Sequence, residues 1–220
     1  MSTAVLVFAK APVPGAVKTR LQDVLGPGGA AVLAARLARH TLRTVTAAGF
    51  SSVTLCCAPD IHHEFFTLCQ RLHGVTLRPQ SDGDLGARMQ EALAAALADH
   101  GSAILVGTDI PGMTGDDLRA AADALDAGAD AVLGPARDGG YWLIGVRRAD
   151  REIFEGVPWS TSAVLQETRV RMAAMGWRVC DVSTRSDLDR PEDLRALLDD
   201  PDAGRLVAGL PLPAEWTVSG

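Results

Sequence analysis

Short β-rich runs alternate along this chain with longer stretches of helical periodicity, and few folds accommodate that order. The runs are 3–9, 52–58, 74–77, 103–107, 131–134, 141–146 and 177–182, several of them continuously apolar, as strands covered on both faces are. Helical patterns are read over 27–48, 61–72, 84–99, 114–125, 162–175 and 191–198. The first opens on Pro27 and sets Ala30, Leu33, Ala34, Leu37 and Val45 on one side, with Arg36, His40 and Arg43 on another. The next to last strand pair is joined by Asp138-Gly-Gly, a strong hairpin signal. A doubly wound α/β sheet follows, with helices on both faces.

No repeat, low-complexity tract or linker divides the 220 residues, and composition changes only after Asp200, where Pro201, Pro211 and Pro213 punctuate the end. The expectation is one domain over residues 1–200 and an irregular tail over 201–220. The 27 acidic and 21 basic side chains give a net charge of −6, which excludes a basic nucleic-acid or membrane footprint over the whole surface. An anionic ligand must then meet a local cluster of cations or a metal. No apolar run approaches the roughly 18 residues of a membrane span, and the first is too short for a signal-peptide core, so the chain is expected in the cytoplasm. Cys56, Cys57, Cys69 and Cys180 form no CxxC pair and are read as reduced packing residues; the five histidines show no ligand spacing.

Open α/β sheets bind ligands beyond the carboxyl ends of their strands, so the segments that leave the strands carry the chemistry. The first, residues 8–21, presents Lys10, Lys18 and Arg20, cations able to grip a diphosphate. It lacks both the GxxxxGK phosphate loop and GxGxxG, and Pro12 and Pro14 remove two backbone donors. The second holds Asp109, either a ligand for Mg²⁺ or Mn²⁺ together with substrate phosphates or the start of an Asx turn at Pro111. In the third, Asp138 is either turn chemistry or a carboxylate that binds or deprotonates an acceptor. In the fourth, Asp189 with Glu192 resembles a capping box ahead of Pro191, and the same carboxylate could complete the metal site begun by Asp109.

Taken in order, FAKAP at 8–12, KTRL at 18–21, QSDGDLGARM at 80–89, GTDIP at 107–111, DGGYWLIG at 138–145, PWSTS at 158–162 and DLDRPEDL at 187–194 resemble a bacterial family. It is the family of GT-A-like transferases named radical-SAM/selenodomain-associated transferases or arsenosugar-biosynthesis glycosyltransferases, similar in fold to nucleotide-diphospho-sugar transferases and molybdenum-cofactor nucleotidyltransferases. The resemblance covers about residues 3–198. It implies a Rossmann-like GT-A fold with a mixed seven-stranded sheet, a nucleotide over the loop after the first strand, and a divalent metal at Asp109. The second metal contact carries over to Asp189, although Leu188 and Arg190 replace the Val and Thr of the related V-D-T-P-E-D-L pattern. Lys10, Lys18 and Arg20 would face the phosphates, and Asp82, Asp84 and Arg88 would contact base, sugar or phosphate; Asp84 is also a natural N-cap.

The implied reaction is transfer of a sugar from a nucleoside diphosphate to an acceptor hydroxyl, with Asp138, Lys18 and Arg20 in catalytic roles and Mg²⁺ or Mn²⁺ as cofactor. The partners would be a nucleotide-sugar donor and a small-molecule acceptor. Two other readings stand beside it: nucleotidyl transfer from a nucleoside triphosphate with release of pyrophosphate, and a non-catalytic nucleotide-binding domain. The Lys10–Leu21 spacing also resembles the lysine-rich opening of phospholactate guanylyltransferases. Nucleobase, sugar, acceptor and oligomeric state have no signature in the residues.

Overall fold

In the computed structural model, which describes residues 2–200 and 204–216, the apolar runs pair into one seven-stranded sheet. Strands β1 (Thr3–Lys10), β2 (Ser52–Ala58), β3 (Thr76–Pro79), β4 (Ser102–Val106), β5 (Ala131–Pro135), β6 (Tyr141–Val146) and β7 (Val179–Asp181) lie in the order β3-β2-β1-β4-β6-β5-β7. All pairings are parallel except those of β6, which runs antiparallel to both β4 and β5 because the Asp138-Gly139-Gly140 turn reverses the chain. The fold is α/β, with a mixed and mostly parallel sheet.

Helices α1 (Gln22–Ala47), α2 (Glu64–His73) and α4 (Gly115–Asp126) cover one face, and α3 (Leu85–Leu97) and α5 (Val164–Ala174) cover the other. Successive strand residues divide accordingly: Val5, Val7, Ile104 and Val106 enter the first core, while Leu6, Ala103 and Leu105 enter the second. Both faces are therefore apolar, which is why these strands read as unbroken runs rather than alternations.

Local chemistry sets the boundaries. Gly26 adopts φ 65° and ψ 165°, so the helical path of α1 is interrupted there and resumes at Pro27, whose fixed φ suits a first turn. Asp84 caps α3 by accepting from the Ala87 amide at 2.8 Å. Strand β3 begins two residues later than the expected 74–77, because Gly74 is spent as the left-handed C-cap of α2 and Val75 turns into the core. Strand β7 is shorter than 177–182, since Trp177 is buried in the second core ahead of it.

A third apolar cluster joins the start of the long helix to the end of the chain. Leu21, Leu25, Leu33 and Leu37 pack with Leu188, with Leu194 and Leu197 of α6 (Pro191–Leu198), and with Leu206, Val207 and Leu210 in and after α7 (Gly204–Val207). Part of the expected irregular tail is thus helical among its described residues, while 201–203 and 217–220 lie outside them. Among the described residues, no helix is long and apolar enough to cross a membrane. Cys56, Cys57 and Cys69 are buried free thiols, each pushed up by burial, to about 12 for the first two and about 11 for the third.

Candidate active site

The carboxyl ends of β1, β4 and β5 and the chain after β7 share one edge of the sheet, and the four segments singled out above meet along it. Three of them meet at Lys18, the Asp138 turn excepted. Its side chain is only 4% exposed, and Nζ lies 2.7 Å from Asp109 Oδ1 and 4.0 Å from Asp189 Oδ1. The same ammonium donates to the Leu188 carbonyl, and Arg20 pairs with the other Asp189 oxygen. The Asp109 carbonyl in turn accepts from the Leu188 amide at 2.8 Å. Residues 18, 20, 109 and 189, distant in sequence, thus form one ion-paired group.

Leu188 explains how the last strand's exit segment is held. Its side chain is buried in the third cluster at 1% exposure, a burial worth about 1.5–3 kcal/mol, which anchors the segment whose Asp189 meets Lys18 and Arg20. Capping differs from expectation. The N-cap of α6 is Arg190 rather than Asp189, and the carboxylate that accepts from the helix start is Asp193, at 2.7 Å from the Arg190 amide and 3.1 Å from that of Asp189. The Asp189 side chain is thereby left to the cations. The loop after β1 is equally committed: the Ala11, Val13 and Ala16 amides donate to the Ala58, Ala11 and Val13 carbonyls. It offers side-chain cations rather than a nest of backbone donors.

The other expected residues occupy the surrounding rim. Asp138 is exposed and accepts from the Gly140 amide at 2.9 Å in an Asx turn. Asp187, which the sequence reading missed, is raised above the usual carboxylate range, first by burial and then by the charges of Asp138, Asp193 and Asp189. An alternation around buried Leu188 was the available signal for it. Arg88 bonds Gln80 Oε1 at 3.0 Å, and the Gln80 amide in turn donates to the Cys56 carbonyl at 2.9 Å, at the ends of the neighbouring strands. Asp82 and Lys10 are exposed, and the Asp84 carboxylate is taken by its cap. Among the described residues, no hydrogen bond or ion pair links Lys10, Asp82, Asp84 or Arg88 to the Lys18 group. Trp159 is half-buried, edge-on to Tyr141 with centroids 6.5 Å apart, and belongs to the second core.

Two further contacts hold the Asp109 loop. Arg185 reaches both oxygens of Asp117, at 2.9 and 2.7 Å; burial works to raise that carboxyl, but the guanidinium and the Thr114 bonds outweigh it and hold it low. His40, on α1, lies 2.9 Å from the Pro111 carbonyl through Nε2 and 3.1 Å from Arg43 through Nδ1. A carbonyl only accepts and a guanidinium only donates, so the ring is the neutral Nε2–H tautomer. Burial, and then Arg43, lower its pKa below 6.5. The unfolded chain therefore takes up this proton at a higher pH than the folded one, and stability is lost as pH falls through and below 6.5. His73, also lowered by burial, adds to the same trend. In urea titrations between pH 7.5 and 5.5, His40→Gln, which keeps a donor for Pro111 but cannot titrate, is expected to flatten part of this slope; an unchanged slope would refute the assignment.

No group of three or more His, Cys, Asp or Glu side chains is gathered for a metal among the described residues. Asp109, 54% exposed, and Asp189, 31% exposed, nevertheless make a donor set that suits a hard divalent cation held by one or two carboxylates plus substrate phosphates. The concavity lined by Thr3, Phe50 and Arg119 lies at the amino end of β1, opposite these residues.

The whole chain is similar to a solved protein of Desulfovibrio desulfuricans G20 named a "putative nucleotide-diphospho-sugar transferase", with 31% identity over 94% of each chain and a TM-score of 0.85. More distant likenesses show the fold alone. A 4-diphosphocytidyl-2C-methyl-D-erythritol synthase from Anaerococcus prevotii matches at 14% identity over 88% of this chain and 94% of that one, with a TM-score of 0.57. A glucosyl-3-phosphoglycerate synthase from Mycobacterium tuberculosis, solved with Mn²⁺, UDP and glucosyl-3-phosphoglycerate, matches at 10% over 96% of this chain and 81% of that one, with a TM-score of 0.54. No curated protein matches the chain. Residues 41–161, over half of the chain, match the family model described as "Uncharacterized protein conserved in bacteria". With the nucleotide-diphospho-sugar transferase and nucleotidyltransferase fold around its ion-paired edge, the chain belongs to this family, DUF2064.

Proposed function

We propose that the chain is a glycosyltransferase whose unit of residues 1–200 moves a sugar from a nucleoside diphosphate to an acceptor hydroxyl. The observation that carries this reading is the convergence of Lys18, Arg20, Asp109 and Asp189 at the carboxyl edge of the sheet. The name of the similar Desulfovibrio protein, a nucleotide-diphospho-sugar transferase, supports it. The resemblance to the radical-SAM/selenodomain-associated transferases belongs with the same reading.

Asp109 and Asp189 would hold Mg²⁺ or Mn²⁺, which when bound supplies positive charge against the diphosphate. As the bond between the anomeric carbon and the diphosphate oxygen breaks, negative charge grows on the leaving group, and Lys10, Lys18 and Arg20 would stabilise it. The acceptor oxygen forms the new bond to the anomeric carbon. Asp138, exposed on the adjoining turn, orients the acceptor and takes its proton, beside the raised carboxyl of Asp187. Asp82, Asp84 and Arg88 would contact base, sugar or phosphate, with one Asp84 carboxylate oxygen already engaged by the Ala87 amide.

Fewer backbone amides are left in the loop after β1 to cradle a triphosphate, because those of Ala11, Val13 and Ala16 are already spent and Pro12 and Pro14 have none. Thermal unfolding against nucleoside diphosphates, diphospho-sugars and triphosphates, each with and without Mn²⁺, tests the reading. A ligand at 100 times its dissociation constant adds about 2.7 kcal/mol, which raises the midpoint by about 5–11 °C at this chain length. A metal-dependent rise with diphosphates and diphospho-sugars is expected, followed by sugar release from the donor that binds. Preference for a triphosphate would replace the reading by nucleotidyl transfer, and binding without turnover of any donor by a nucleotide-binding role.

A further inference from the structure

The Lys18 ammonium sits at the focus of three oxygens. Asp109 Oδ1 is at 2.7 Å, the Leu188 carbonyl accepts from it, and Asp189 Oδ1 is at 4.0 Å. Two carboxylates and a peptide carbonyl turned toward one point are the donors that a hard cation takes. The lysine is held there against its own backbone preference: with φ 47° and ψ 43° it is one of two non-glycine residues with positive φ among those described. Its side chain is 4% exposed, so the charge is sheltered rather than offered to solvent.

We propose that Lys18 is a resident counter-cation that occupies the place of the divalent metal between Asp109 and Asp189 and yields it only when the phosphates of the nucleotide arrive. The proposal rests on the glycosyltransferase reading and adds a binding order to it. The charges argue for it. With Lys18 and Arg20 in place, two negative carboxylates already face two positive side chains. A divalent ion arriving alone meets an ammonium among its own ligands, and the repulsion between them is strong in a sheltered site. A diphosphate brings the missing negative charge and gives Lys18 other oxygens, which its flexible four-carbon stem can reach. Metal and nucleotide then strengthen each other's binding by the same factor, as linkage requires.

The test is Lys18→Met together with Lys18→Gln, which keeps a donor for the Leu188 carbonyl. Each is titrated with Mn²⁺ alone, following the spin-resonance signal of the free ion, and melted with the four common nucleoside diphosphates in the presence of Mn²⁺. Both variants are expected to bind Mn²⁺ at least tenfold more tightly than wild type while losing most of the nucleoside-diphosphate shift. A merely structural lysine would weaken both. Mn²⁺ affinity that is unchanged or lower in a natively folded variant overturns the proposal. Wild-type protein gives an answer independent of variant folding. The Lys18 side-chain ¹⁵N resonance should hold its position when Mg²⁺ is added alone and move when a nucleoside diphosphate joins it; a resonance that Mg²⁺ alone displaces overturns the proposal. If nucleotides shift the wild type in a metal-dependent way and the Lys18 variants bind Mn²⁺ no better, the binding order fails and the transferase reading stands. If no nucleotide shifts the wild type, the transferase reading itself fails.

Discussion

Asp109→Asn is expected to lower the proposed metal-dependent sugar transfer by about 10²–10³-fold, the loss typical of removing one preorganised electrostatic contact. The substitution removes the charge while leaving an oxygen that can still accept from Lys18, whose Nζ is 2.7 Å from Oδ1 in the native pair. Although the carboxylate is 54% exposed, its partner Lys18 is only 4% exposed, so the lost counter-charge should cost about 2 kcal/mol, a midpoint drop of about 4–8 °C. The informative comparison is steady-state turnover across a Mn²⁺ series. Wild type should rise steeply with metal and the variant should stay flat; turnover within tenfold of wild type at saturating Mn²⁺ would remove Asp109 from the metal site.

Gly139→Ala should be among the most destabilising single changes in the chain. Gly139 has φ 93°, a conformation that side chains rarely adopt, and a methyl group there would point into the Ser162 backbone, 2.7 Å from Cα and 2.8 Å from the carbonyl carbon, with the carbonyl oxygen nearer still. Backbone strain of about 1–3 kcal/mol and overpacking of about 1–3 kcal/mol act together, because a peptide group cannot rotate away as a side chain can. The Gly139 carbonyl also accepts from the Leu165 amide at 2.9 Å, so any shift is felt at the start of α5. Calorimetry is expected to place the midpoint about 6–12 °C below wild type, from about 3 kcal/mol. A variant melting within 2 °C of wild type would mean that this contact is far looser than described.

Much of the fold is legible in the residues because both faces of the sheet are buried. Unbroken apolar runs such as 103–106 have no other use in a chain of this charge, and Asp138-Gly-Gly marks the one place where the sheet turns antiparallel. Helix starts at Pro27 and Asp84 are equally readable, since caps and first-turn prolines are local chemistry. The site is legible in its membership more than in its wiring. Lys18, Arg20, Asp109 and Asp189 stand out individually, but a spacing along the chain cannot show that Lys18 faces carboxylates, because its partners are 91 and 171 residues away, by difference of their numbers. The capping of α6 by Asp193 is a choice between carboxylates a few residues apart, decided by where Leu188 anchors the segment. His40 was unreadable for the same reason: its carbonyl partner, Pro111, comes from a distant loop.

The third apolar cluster has a consequence for motion. Asp109 hangs from β4, deep in the sheet, whereas Asp189 is carried by a segment whose anchors are Leu188, α6 and α7 against the first turns of the long helix. The two carboxylates are anchored in different apolar clusters, Asp109 between Val106 and Ile110 of the first and Asp189 beside Leu188 of the third, and regions of unequal stability open separately. Loosening the chain's final helices would withdraw Asp189 and the Leu188 carbonyl from Lys18 while the sheet keeps Asp109 in place. The site's assembly is thus tied to how long the C-terminal end stays docked.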